Sequence, residues 1–244
     1  MQRLEVRLPP VPIVSPRAAI GLAAFVTLVG GITAASEAGL FPAGALASSP
    51  DRIAADRFWL LFTNGLLCDK PVAASLVGLG LFGIVVLVVC GARIAWTAGL
   101  LGHVFSTLFV YALIALTRLL DPGAFSSVLS ARDVGVSAIC AAWLGAVAAT
   151  LWRRPGRTET GKAAIAVSCL LIGLFAWLVN PDLTVLDTDH LFAFPIGAAV
   201  ALVPVRSLVR TDAVAGAFAA AIGRVRVELA AFVRSFRSSP RRAG

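Results

Sequence analysis

Charge is what this sequence has least of. Asp, Glu, Lys and Arg make up 14% of its 244 residues, whereas a water-soluble domain carries about 25%. So few charges cannot coat a water-facing surface, which excludes an ordinary soluble globule and a disordered solvated chain. Cysteine is sparse too: four scattered residues (Cys68, Cys90, Cys140, Cys169) form no C-x-x-C pair and no disulfide framework. Histidine is limited to His103 and His190. The 22 Gly and 13 Pro follow no three-residue period, so collagen is excluded. Walker, dinucleotide-fingerprint and H-E-x-x-H strings are all missing.

Apolar residues fill the space that charge leaves, at 59% of the chain and a mean hydropathy of +0.90. A helix needs about 20 mostly apolar residues to cross a bilayer. Six stretches free of Asp, Glu, Lys and Arg approach that length: 18–36, 71–92, 94–117, 134–152, 163–181 and the shorter 190–205. No sustained period-2 alternation suits a barrel, so the chain reads as an all-α polytopic membrane protein with six transmembrane helices. In the last span Arg206 snorkels to the headgroups while Ser207–Val209 extend the helix. A secretory signal, with Arg3, Arg7 and Arg17 ahead of the apolar run and Ala34–Ala35 as its cleavage site, is the alternative for the first span. It would leave the orientation of the other five unchanged.

The charges sort by side. Sixteen of the 21 basic residues fall at the N-terminus, the 2–3 turn, the 4–5 loop and the tail. Arg52, Arg57, Lys70, Arg118 and Arg132 fall on the opposite side, with nine of the 13 acidic residues. The positive-inside rule then places both termini in the cytoplasm. The net charge of +8 is thereby read as topology, and no nucleic-acid partner is expected. Nineteen of the 21 basic residues are Arg and Ala is abundant, which fits a GC-rich bacterial gene and an inner (plasma) membrane location.

This divides the chain into a cytoplasmic segment 1–17, a membrane domain 18–209 and a cytoplasmic tail 210–244. In the tail Val214, Phe218, Ile222, Val225, Leu229, Phe232 and Phe236 recur at spacings of three and four. With arginines off that stripe, the tail is predicted to lie as a basic amphipathic helix on anionic inner-leaflet lipids. The long outer loop 37–70 carries Arg57-Phe58-Trp59-Leu60-Leu61-Phe62. Aromatics flanked by charge suit the interfacial belt, so the first expectation is an anchor in the outer leaflet.

Chemistry is expected near the outer surface. Ser137 sits about one turn into span 4, in Asp133-Val134-Gly135-Val136-Ser137, and His190 opens span 6. Both spans run inward, so the two residues lie within roughly 5–10 Å of each other in depth. A serine nucleophile needs a base within hydrogen-bond reach. Gly135, Val136 and Ser137 offer backbone close to the start of a helix, where free amides and the positive dipole end suit an oxyanion. The competing readings are a serine that bonds a neighbouring helix, an interfacial histidine, and a metal site on Asp187, Asp189 and His190. The last lacks a second histidine at that depth. His103, near the middle of span 3, reads as an interhelical hydrogen-bonding residue or, in a transporter, as a mid-membrane polar group.

Six spans with both ends inside, the aromatic–Arg first loop, Gly-x-Ser-x opening span 4 and His opening span 6 resemble the rhomboid superfamily. That family comprises intramembrane serine proteases and their inactive relatives. Over about residues 18–209 the resemblance implies a six-helix rhomboid-like bundle, Ser137 as nucleophile and His190 as base, and no cofactor or metal. It also implies transmembrane proteins as substrates, or as clients of an inactive pseudoprotease. Gly145 and Gly197 match the family's small residues where spans 4 and 6 pack closely. Departures are plain: span 2 has neither the His nor the Asn that supports the family's oxyanion, Ala141 stands for an aromatic residue and Ala193 for a glycine. Asn64 in the first loop is a possible substitute donor whose place the sequence does not give.

Overall fold

The computed structural model describes residues 14–68, 70–153, 158–179 and 188–203. Among these the chain is mostly helical and has no strand. Helix α1 (Pro16–Glu37) starts at Ser15, whose hydroxyl accepts from Ala18 N at 3.3 Å, with Pro16 preset for the first turn. Two short helices, α2 (Pro50–Ala54) and α3 (Leu60–Thr63), and a 3₁₀ turn at Asn64–Leu66 lie in the first long loop. Helices α4 (Val72–Cys90) and α5 (Ala92–Leu120) are separated by Gly91 alone, at φ +84°, a left-handed conformation that glycine adopts without a steric penalty. Then come α6 (Ser137–Arg153), α7 (Thr158–Val179) and α8 (Asp189–Leu202).

Three of these helices, α1, α4 and α5, are long and apolar enough to cross a membrane; α6 and α8 are shorter apolar helices. The six helical segments fall where the six apolar stretches do, with shifted ends. Helix α5 runs on to Leu120, past the charged Arg118, and at 1.5 Å per residue its 29 residues extend about 43 Å. Helix α6 begins at Ser137, because residues 133–136 are kept out of the helix by the Ser48–Asp133 bridge and by Gly135 at φ +135°. The N-terminal residues 1–13, the tail helix expected over 210–244 and the proposed extension of span 6 through 204–209 lie outside the described residues.

Helix α6 is the hub. Every residue from Ala138 to Ala149 is buried, and α4, α5, α7 and α8 all pack against it. Alanine at positions 138, 141, 142, 146, 148 and 149 keeps that helix thin enough for four neighbours. Its one large fully buried side chain, Trp143, donates Nε1–H to the Ala95 carbonyl at 2.7 Å and fills space beside Gly83 and Gly99. The outward faces of α1, α4 and α5 stay apolar: Ile20, Val77, Leu81, Ile84 and Phe105 are all more than half exposed. Exposed apolar faces of that extent suit a lipid solvent better than water.

Helices α6 and α8 approach backbone to backbone. A Cβ on Gly145 would run into the Phe194 carbonyl and lie 3.1 Å from Ala198 N. One on Gly197 would meet the Ala142 carbonyl and lie 2.7 Å from Ala142 Cα. The C-terminal ends are joined as well, by Arg153 Nη1 donating to the Leu202 carbonyl at 2.6 Å. Since the blocking atoms are backbone, neither glycine tolerates a side chain without helix displacement. Gly145→Ala and Gly197→Ala should each lower stability by about 1–3 kcal/mol. Gly80→Ala, which meets nothing within 4 Å, should stay within ~0.5 kcal/mol. Thermal unfolding of the purified protein in detergent measures this, and equal midpoints for all three variants would contradict the packing described.

Candidate functional site

The loop between α5 and α6 delivers Ser137. Ser48 and Asp133 exchange backbone hydrogen bonds of 3.1 and 2.9 Å, and Gly135 N donates to the Asn64 carbonyl at 3.2 Å. The Val136 carbonyl accepts from Cys140 N at 3.1 Å, so α6 starts immediately after Val136. Ser137, Ala138 and Ile139 therefore present first-turn amides with no acceptor inside the helix. Ser137 itself is half-buried.

His190 is the second residue of α8 and is also half-buried, with Nδ1 3.1 Å from the buried Asp189 Oδ1. Gly145, Gly197 and the Arg153–Leu202 bond set α6 and α8 side by side in parallel register. Counting back eight residues from Gly145 and seven from Gly197 brings Ser137 and His190 to within about one helical turn of the same level. Among the described residues no hydrogen bond joins Ser137 Oγ to His190. Asp187, the third member of the alternative metal set, lies outside the described residues.

A second polar group sits beside this pair. Asn64 is fully buried; its Nδ2 donates to Ser48 Oγ at 2.9 Å and its Oδ1 lies 2.8 Å from His103 Nε2 and 3.0 Å from Gly65 N. Ser48 Oγ is 2.8 Å from Tyr111 Oη, which donates to Asp133 Oδ2 at 2.9 Å. The cluster joins the first loop, α5 and the segment leading to Ser137. It also explains why that loop is more than an interfacial anchor. Phe58 is exposed, but Leu60, Leu61 and Asn64–Leu66 are buried, with Leu60 and Leu61 in one apolar cluster with Val110, Tyr111 and Ile114 of α5. Gly65 is pressed on the imidazole so tightly that a Cβ there would lie 2.9 Å from His103 Nε2.

Sequence reasoning singled out Ser137, His190, Gly145 and Gly197 as candidates but did not pair Asn64 with His103. The available signal was a lone amide inside the apolar run Leu60-Leu61-Phe62-Thr63-Asn64-Gly65-Leu66-Leu67, since a buried amide must find partners. No family model matches the chain, nor does any curated protein or solved structure.

Asp133, outside the helices, is pushed well above the usual carboxylate range, chiefly by burial and then by the negative charge of Asp189. The hydroxyls of Tyr111 and Ser48 and the nearby His190 oppose the shift without cancelling it. Folded Asp133 thus holds its proton more tightly than the unfolded chain does. Its contribution to stability is greatest when protonated and declines as pH rises from about 4 through the raised value. The thermal midpoint in detergent should fall over that range, and the slope should flatten in Asp133→Asn, which keeps an acceptor for Tyr111 without the charge. An identical slope in the variant would contradict this.

Proposed function

We propose that the chain is a rhomboid-like integral membrane protein of a bacterial inner membrane, with six spans and both termini cytoplasmic. In this reading it is an intramembrane serine endopeptidase acting on transmembrane proteins near the outer leaflet. The observation that carries it is the parallel register of α6 and α8, which levels a serine at one helix start with a histidine at the other. Ser137 Oγ attacks the peptide carbonyl and gives its proton to His190. First-turn amides of α6, together with the dipole of that helix, hold the oxyanion, a contribution on the order of 10²–10³ in rate per donor. His190 then protonates the leaving amine, and water resolves the acyl-enzyme. No cofactor or metal takes part.

One observation favours a second reading, a pseudoprotease that grips membrane clients without cutting them. Ser137 and His190 are level yet not hydrogen-bonded, and Ala141 places no aromatic ring against the imidazole. Catalytic hydrogen bonds are often long in an enzyme without substrate, so the protease remains the first reading. A small transporter built on His103 ranks third, because that imidazole is tied to Asn64.

Purified protein exposed to a fluorophosphonate should label in the wild type, and labelling should fall at least ~10²-fold in Ser137→Ala and in His190→Ala. An unlabelled wild type whose clients still co-purify with Ser137→Ala would remove the protease and leave the binder.

A further inference from the structure

The hydrogen bonds around Asn64 settle which way its amide faces. Gly65 N–H can only donate, and it lies 3.0 Å from the same Asn64 atom that faces His103 Nε2 at 2.8 Å. That atom must be oxygen, and Nδ2 correspondingly donates to Ser48 Oγ. His103 Nε2 therefore carries the hydrogen, and in the neutral ring Nδ1 is left as a bare acceptor. His103 is 4% exposed, and its Nδ1 has no hydrogen-bond partner among the described residues. One turn further out on the same side of α5, Thr107 is 1% exposed and its Oγ1 is equally without a partner. Tyr111 continues the polar stripe another turn towards Asp133.

This places an acceptor and a hydroxyl on successive turns of α5, their residues separated by about 6 Å of helix rise, and a single water can bridge groups one turn apart. Gly65 and the buried turn around it lie against the Nε2 side of the ring, so they supply no donor to Nδ1. The site also lies close to the candidate nucleophile. Gly102 abuts Ala142 and the Ala193 carbonyl, five residues past Ser137 and three past His190, hence roughly 5–8 Å deeper. His103 and His190 lie within electrostatic range of each other. Because its tautomer leaves no proton on Nδ1, neutral His103 cannot donate to an oxyanion there. It can only accept a proton.

We propose that His103 Nδ1 and Thr107 Oγ1 hold the water that resolves the acyl-enzyme, with His103 as the base and Asn64 as the positioning residue that fixes its tautomer. The assignment rests on the protease reading above. One water O–H bond breaks and its proton passes to His103 Nδ1. The water oxygen bonds the ester carbon, and the bond from that carbon to Ser137 Oγ breaks. The proton is then returned to Ser137 Oγ, so the step needs no co-reactant beyond water.

The test uses 4-nitrophenyl acetate on the full-length protein in detergent, where the nitrophenol burst reads acylation and the steady state reads water attack. In His103→Gln the steady state should slow by about 10²-fold relative to the burst, within the range of general-base contributions. In Asn64→Asp a carboxylate would keep His103 protonated, so the pH midpoint of the steady-state rate should move up by at least about one unit. A purely structural role would lower burst and steady state together, and that outcome, or unchanged rates in both variants, overturns the proposal. A wild type whose nitrophenol release is unchanged in Ser137→Ala would remove the protease reading itself. The acceptor is then judged separately, by ¹⁵N spectra of a chain with only two histidines: a bare Nδ1 on His103 supports it and a protonated Nδ1 overturns it.

Discussion

The contact of α6 with α8 sets the rest of the structure. Two glycines, Gly145 and Gly197, bring the helix backbones together where any side chain would collide with main-chain atoms. In lipid there is little hydrophobic force to press helices together, so close packing of small residues supplies the attraction. The same contact fixes the register of the pair. It is the reason that a serine and a histidine 53 positions apart in sequence share a level, and the reason that α5 can close the third side through Gly102.

A second constraint acts at the other end of the site. The first loop carries its backbone and an amide side chain into a region packed by helices, where every polar group needs a partner. Asn64, Ser48, Tyr111, Asp133 and the Nε2 side of His103 meet that need among themselves, while His103 Nδ1 has no hydrogen-bond partner among the described residues. The loop is thereby tied to α5 and to the segment that starts α6. Breaking the group would loosen the approach to Ser137 as well as the loop itself, since Gly135 hangs from the Asn64 carbonyl.

The helices were largely legible because stretches without charge are long and loops hold the charged residues. Their ends were less so. Residues 134–136 belong to an apolar run yet stay outside α6, because the bridge of the preceding Asp133 to Ser48, 85 positions away, and a positive φ at Gly135 keep them out of the helix. Helix α5 outruns its uncharged span because Arg118 lies at its last turn, with Nη2 reaching the Pro122 carbonyl. Ser137 and His190 could be levelled from sequence, as helix rise converts residue count to depth. The Asn64–His103 pair could not, since 39 positions and a folded loop separate the two and no periodicity connects them.

The central claim is that Ser137 and His190 act on one another, and the two-histidine composition makes this directly measurable. ¹⁵N-histidine spectra recorded before and after treatment with a fluorophosphonate should show the His190 nitrogens moving in the wild type and remaining in place in Ser137→Ala. Histidine spectra that are the same before and after treatment of the wild type would contradict the account.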